Sequence, residues 1–291
     1  MLNKLFIGIV IFLILTGCDN EKNSADKKSS TEILSKESKD SVQTEFNLNS
    51  NFKFSNEELS LLESMSPKPN SLNFEEDFKK YVNNYIQLGL NLDTSIKINT
   101  QYYREKLNDD NSDDAIITLN LLEFAKKKAV KAANPAQLAQ IGFMGDYNYV
   151  LLYDGASKKI TNETVIRSTP LSPLRVSFEN ISSQKYKDVL IDFRILNASY
   201  KDFYTIKNNQ LSRIFQWKNF DGLGKEKNEA YYFEFGTGTL SLAKDIIVYN
   251  SKLENPSGTF DKFTFEPKIT KTKEIFKRFF YHPETGIYMT R

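Results

Sequence analysis

The spacing of apolar residues changes once along the chain. From residue 51 to about residue 100 it recurs every three to four positions, and beyond that every two. In "SNEELSLLESM", Ser55 is placed to cap a helix that carries Leu59, Leu62 and Met65 on one face. "PKPN" breaks the chain, and "NFEEDFKKYVNNYIQLGL" then predicts a second helix. Asn73 stands at its cap, acids fill its first turn, and Phe74, Phe78, Tyr81, Val82, Tyr85 and Leu88 share one face, with Gly89 as the stop. An aromatic stripe at this spacing is read as a core face, not as a ligand box.

The period of two begins after about Leu107. "LRVSFEN" sets Leu174, Val176 and Phe178 against Arg175, Ser177 and Glu179, and "VLIDFRI" aligns Val189, Ile191, Phe193 and Ile195. "YYFEFG" and "KFTFEP" continue the pattern with Tyr231, Phe233 and Phe235, then Phe263 and Phe265. Strands with one buried and one wet face are the habit of antiparallel sheets. Turn signals fall between them in "YDGASKK", "IKNNQL", "FDGLGKEKNE", "NPSG" and "HPETG". About eight to ten strands fit. The reading is a mainly β fold, an antiparallel β-meander of sandwich-like or propeller-like form with a short α-helical N-terminal lead-in. One short helix is expected within Glu123 to Gln140, ending near Asn134-Pro135. Asp114, Asp188 and Asp245 each open an apolar run, at unequal spacing; this is read as recurrent chemistry at strand starts, not as a repeat.

The N-terminus adds location. Lys4 precedes an apolar run from Leu5 to Leu15, too short for the ~20 residues of a membrane-spanning helix. A small-residue site follows, which is the layout of a signal peptide. The site itself, "LTGC" at Leu15 to Cys18, resembles the lipobox of bacterial lipoproteins. That resemblance implies a diacylglyceryl group on the Cys18 sulfur and cleavage before Cys18. The organisation expected is a signal peptide over residues 1–17, a lipid-anchored flexible tether over 18–50, the helical lead-in over 51–100 and the antiparallel β domain over 101–291. The tether is rich in Ser, Lys, Asn and acids and too poor in apolar groups to offset its ordering entropy. The expected localisation is the bacterial cell envelope, with the membrane engaged through the lipid.

Composition then narrows the chemistry. Cys18 is the only cysteine, so disulfides, thiolate metal sites and cysteine nucleophiles are excluded. A net charge of +2 lacks the concentrated basic surface that phosphate binding needs, and no nucleic-acid partner is expected. The single histidine, His282, lies in the turn sequence "YHPETG", and no G-x-S-x-G elbow accompanies it. Ser182 to Lys185 is a bare S-x-x-K in a polar turn, and "DGLG" at Asp221 to Gly224 is read as a hairpin turn. Glu163, Glu179, Asp192 and Glu234 lie in or beside strands and are the candidates for a glycan-cleaving carboxylate pair. Trp217 and Tyr232 are candidates for a sugar-stacking platform, although core packing is the leading reading of the aromatics.

"KLNDDNSDDAIIT", Lys106 to Thr118, is the one loop that suggests a metal. It is similar to the aspartate-rich loops of FG-GAP and related secreted β-repeats, which chelate calcium and run into a strand. The resemblance implies Asn108, Asp110, the Ser112 carbonyl and Asp114 as ligands, since Ca²⁺ takes six to eight oxygens. Two departures stand against it. Lys106 occupies the first ligand place, and Asn111 replaces the glycine of the sharp turn. The expectation is therefore no cofactor, with the acids serving a solvated turn; calcium is the alternative, with a stabilising role. No pattern names a reaction. The functional expectation is a binding or structural module of the envelope with no catalytic residues, directed at an envelope protein or glycan. An anchored inhibitor or immunity-like protein, and a carboxylate-dependent hydrolase, remain as alternatives.

Overall fold

The change of period marks where helices give way to strands. In the computed structural model, residues 51–68 and 74–290 are described; the leader, Cys18, the tether to residue 50 and the Asn73 cap lie outside them. Helix α1 (Asn56–Ser64) starts on a capping box: the Ser55 hydroxyl accepts from Glu58 N–H at 3.2 Å, and Ser55 N–H donates to the Glu58 carboxylate at 2.7 Å. Leu62 is buried, but Leu59 is nearly half exposed, so this helix touches the core along a narrower line than its pattern suggests. Helix α2 (Phe74–Gly89) buries Phe78, Tyr81, Val82 and Tyr85, the stripe read from the sequence.

Twelve strands follow among the described residues, all antiparallel, and every pairing joins neighbours in sequence, with a break between the fourth and fifth. Strands β1 (Asn99–Glu105), β2 (Asp114–Asn120), β3 (Asn148–Asp154) and β4 (Lys159–Val165) form one sheet. The second sheet runs through β5 (Arg175–Glu179), β6 (Asp188–Ile195), β7 (Ala198–Lys207), β8 (Gln210–Asp221), β9 (Glu229–Gly236), β10 (Asp245–Leu253), β11 (Ile269–His282) and β12 (Ile287–Met289). The signals "IKNNQL", "FDGLGKEKNE", "NPSG" and "HPETG" fall between its strands, whereas the β6–β7 and β9–β10 turns are not signalled. Asn208 and Asn209 both take positive φ in the two-residue β7–β8 turn, the geometry that a type I′ hairpin demands.

The eight-stranded sheet folds over on itself. Strands β8 and β9 share only the pairs Phe220↔Ala230 and Asp221↔Glu229. Phe215 of β8 then packs edge-on against Phe279 of β11, with ring centroids 4.7 Å apart, and reaches Tyr288 of β12 at 6.2 Å. In a flat sheet these strands would be separated by ~14–19 Å, three or four strand spacings. The β region is thus a stack of three four-stranded units, β1–β4, β5–β8 and β9–β12. Helix α2 and Phe52 cover the outer face of the first through Ile117, Leu119, Tyr149 and Leu151. Ile116, Val150 and Leu152 meet Val189, Ile191 and Phe193 between the first and second units. Leu190 and Phe203 meet Ile246 and Val248 between the second and third.

Stacking explains where simple alternation fails. Strands β2 and β3 are buried at every position and β6 at most, because the first and second units are covered on both faces. Arg194 of β6 is 2% exposed; its guanidinium stacks over Phe220 at 4.6 Å and donates to the carbonyls of Lys262 (3.0 Å) and Phe265 (2.8 Å). Those carbonyls belong to "KFTFEP", which is a turn and not the expected strand. The Asp261 carboxylate accepts from Phe263 N–H and from the Thr264 hydroxyl, both at 2.9 Å, and so winds the segment. The expected single helix at 123–140 is two, α3 (Leu122–Val130) and α4 (Pro135–Gln140). Pro135 starts the second at N1 instead of only ending the first.

Asp114, Asp188 and Asp245 are the first residues of β2, β6 and β10, the second strand of each unit, and each is no more than 1% exposed. Asp188 accepts from the backbone N–H groups of Ile181 (3.1 Å) and Ser182 (2.5 Å) and from the Ser182 hydroxyl (2.6 Å). Replacing it with alanine orphans buried donors, so Asp188→Ala is expected to cost about 2–4 kcal/mol in urea unfolding, whereas exposed Asp261→Ala costs under about 1.5. Equal losses would show that the buried carboxylate has no special part in the fold.

Candidate metal centre and ligand cleft

The β1–β2 loop is wound by its own polar side chains. The Asn108 side-chain oxygen accepts from Asp110 N–H at 2.9 Å, and Asp110 Oδ1 accepts from Ser112 N–H at 2.7 Å. Two successive turns of this kind bring Asp110 back over the start of β2. Antiparallel pairing of Ala115 with Tyr153 places Asp154, the last residue of β3, opposite Asp114. Carboxylate oxygens of Asp110, Asp114 and Asp154 all lie within 4.8 Å of one another. Gly155 closes the arrangement from the β3–β4 turn: its N–H donates to Asp114 Oδ1 at 3.1 Å, and a Cβ built on it would fall 2.2 Å from the Asp113 carbonyl oxygen.

Asp109 and Asp113 are the solvated turn residues expected from the sequence, and Asp110 winds the turn, but Asp114 is not one of them. Asp114 and Asp154 are 1% and 3% exposed, and Asp114 Oδ2 is buried without a hydrogen-bond partner. Burial, followed by the negative charges of Asp110 and Asp154, pushes the Asp114 carboxyl up to about 6. Of the four ligands implied by the loop pattern, the structure brings together Asp110 and Asp114. Asn108 and Ser112 supply the turn geometry that carries Asp110 inward. Asp154 is the member that the sequence reading missed. Its "YDG" was visible as a turn signal, but β2 and β3 are separated by two helices, and nothing in the intervening sequence sets their register. Lys185 pairs with Asp109 at 3.1 Å, on the outer side of the loop. Three oxygen donors, two of them buried and one lacking any donor, suit a hard cation.

A second feature lies beside α3. A cleft of about 460 Å³ is lined by Leu90, Leu92, Leu121 and Phe124, with Asp146 and Lys128 among its polar groups. Asp146 is fixed by Arg167 Nε at 3.0 Å and by the Asn51 amide at 3.3 Å, and Asn51 also reaches the Tyr149 hydroxyl at 3.2 Å. The Phe124 and Tyr147 rings meet edge to face at 6.3 Å.

The four candidate carboxylates for glycan cleavage sit on four different strands, each in its own setting. Glu163 accepts from the Tyr85 hydroxyl; Asp192 pairs with Lys201 at 2.7 Å and accepts from Asn219; Glu234 pairs with Lys271; Glu179 is exposed at the end of β5. None lines the cleft or the smaller recess beside Asp114. Ser182 is bound to Asp188 and Lys185 to Asp109, so the S-x-x-K pair is divided between two partners. Trp217 belongs to the core cluster with Phe215, Tyr231 and Phe279, while Tyr232 is exposed under Lys271. His282 ends β11, and its carbonyl accepts from Gly286 N–H across the hairpin at 2.7 Å. No protein-family model matches the chain, and no curated protein or solved structure matches it either.

Gly155→Ala forces the β3–β4 turn away from the β1–β2 loop, because the obstacle is backbone and not a movable side chain. It is expected to lower stability by about 1–3 kcal/mol in chemical denaturation. An unchanged midpoint would mean that the two loops are not held in this contact.

Proposed function

We propose that the chain is a lipid-anchored module of the bacterial cell envelope that works by binding, with Cys18 as the acylated anchor and 18–50 as the tether. The observation that carries the binding reading is the cleft beside α3. It joins aliphatic and aromatic side chains to fixed polar atoms on Asn51, Asp146 and Tyr149, so that a ligand would meet a lining more polar than apolar. Phe124 and Tyr147 offer ring faces and edges to a sugar or an apolar side chain, and Lys128, stacked over Phe124 at 5.1 Å, offers a charge at the rim. An envelope glycan or a protein segment carrying one apolar anchor would both be accommodated. The separate partners of Glu163, Asp192 and Glu234 favour binding over carboxylate-driven hydrolysis, which needs two acids flanking one bond. Among the described residues no helix is long and apolar enough to cross a membrane.

Two measurements test the two parts separately. Cys18→Ser is expected to leave unprocessed precursor without the diacylglyceryl mass, and a mature product of unchanged detergent partitioning would remove the anchor. Phe124→Asp introduces a charge on the floor of the cleft. It is expected to weaken retention of the purified protein on isolated cell envelopes by at least about tenfold, since burying an unpaired charge at a contact costs more than ~1.4 kcal/mol. Unchanged retention, or glycan cleavage lost on Asp192→Asn, would displace this reading.

A further inference from the structure

The three stacked units solve one problem in two ways. Each buries an aspartate at the start of its second strand, and a buried carboxylate needs donors to both oxygens. In the second unit Asp188 Oδ1 takes the Ser182 hydroxyl, while Oδ2 takes the N–H groups of Ile181 and Ser182. In the third, Asp245 Oδ1 takes the N–H of Thr239 at 3.1 Å, and Oδ2 takes its hydroxyl at 2.5 Å. Both units therefore bring a hydroxyl from the preceding loop.

The first unit brings acids instead. Asp114 Oδ1 has the Gly155 N–H, but Oδ2 is buried without a hydrogen-bond partner, and around the carboxyl stand the Leu107 N–H and the carboxylates of Asp110 and Asp154. The substitution is positional. One step beyond the paired residues Ala115↔Tyr153 stands Asp154, and one step beyond Val189↔Tyr204 stands Thr205, whose hydroxyl lies 3.4 Å from that of Ser182. A donor pair in the second unit corresponds to an acceptor pair in the first. Three carboxylates within 4.8 Å, two of them almost fully buried, repel one another and leave an oxygen unsatisfied. One cation among them removes both defects.

We propose that Asp110, Asp114 and Asp154 hold a calcium ion that clips the β1–β2 loop to the β3–β4 turn, in place of the hydroxyl donors of the other two units. Calcium suits the set because all donors are oxygens, and two ligands on one Ca²⁺ lie up to ~5 Å apart, a span that 4.8 Å fits. The proposal stands independently of the cleft and of the lipid anchor.

The test uses the full chain purified in detergent and stripped with chelator. Millimolar Ca²⁺ is expected to raise the melting temperature by several degrees, and calorimetric titration with Ca²⁺ to give one site. Asp154→Asn and Asp110→Asn keep the acceptor atoms that take the N–H groups of Ser157 and Ser112, but each removes one negative charge. Both variants are expected to lose the calcium response. In chelator both should melt at or above the temperature of the unsubstituted chain, because a repulsion is gone. That opposite sign separates a metal site from a purely structural role, which would lower the melting temperature in chelator and calcium alike. The proposal is overturned by the absence of a calcium response, by a response that survives in both variants, or by an equal response to the same concentration of Mg²⁺.

Discussion

A carboxylate withdrawn from water at the start of β2, β6 and β10 must be matched, from the loop in front of it at β6 and β10 and from the β3–β4 turn at β2, and the stack is organised around that need. Satisfying Asp188 pulls Ile181 and Ser182 against β6; satisfying Asp245 does the same for Thr239 and β10. The residue just before each aspartate then joins one unit to the last. Lys187 N–H donates to the Lys106 carbonyl at 2.9 Å, and Lys244 N–H to the Ile181 carbonyl at 2.8 Å. The same short stretch that completes a loop within a unit also sets the height at which the next unit sits. Hydrophobic contact between sheets is non-directional; these backbone bonds give it a register.

Much of this was legible in the residues. Helix α2 followed from Phe78, Tyr81, Val82 and Tyr85, the meander from alternating strands and turn signals, and the three aspartates from their place before apolar runs. What local pattern could not carry was the number of faces covered. Leu190 and Arg194 occupy positions that alternation assigns to water; Leu190 is buried because the β9–β12 unit lies beyond, and Arg194 because Phe220 and the 262–265 turn cover it. The "KFTFEP" segment alternates as well as any strand, yet Asp261 turns it and Arg194 holds its carbonyls. Periodicity describes one element at a time, whereas coverage is a property of the stack.

The acidic loop shows the same limit at the level of chemistry. Asn108, Asp110 and Asp114 are close in sequence and could be read together; two of them serve in the cluster and Asn108 winds the loop that carries it. Asp154 comes from a strand on the far side of two helices, and only the pairing of β2 with β3 brings it in. Solvent exposure was the other hidden variable. An aspartate-rich turn is ordinarily wet, and Asp109 and Asp113 are, but Asp114 is roofed by the Gly155 turn so closely that even a methyl group on Gly155 would collide.

The sequential pairing within β1–β4 and within β5–β12 also bears on how such a chain reaches its native state. Every ladder joins strands adjacent in sequence, and although the β2–β3 and β10–β11 connections are long, the entropic cost of closing a loop grows only slowly with its length. Topologies of this kind have low contact order for an all-β fold and collapse faster than those built on distant pairings. A chain that emerges N-terminus first can lay the α2 face against β1–β4 while later strands are still absent, then add one four-stranded unit at a time. With a single cysteine, the chain has no intramolecular disulfide to form or reshuffle on the way.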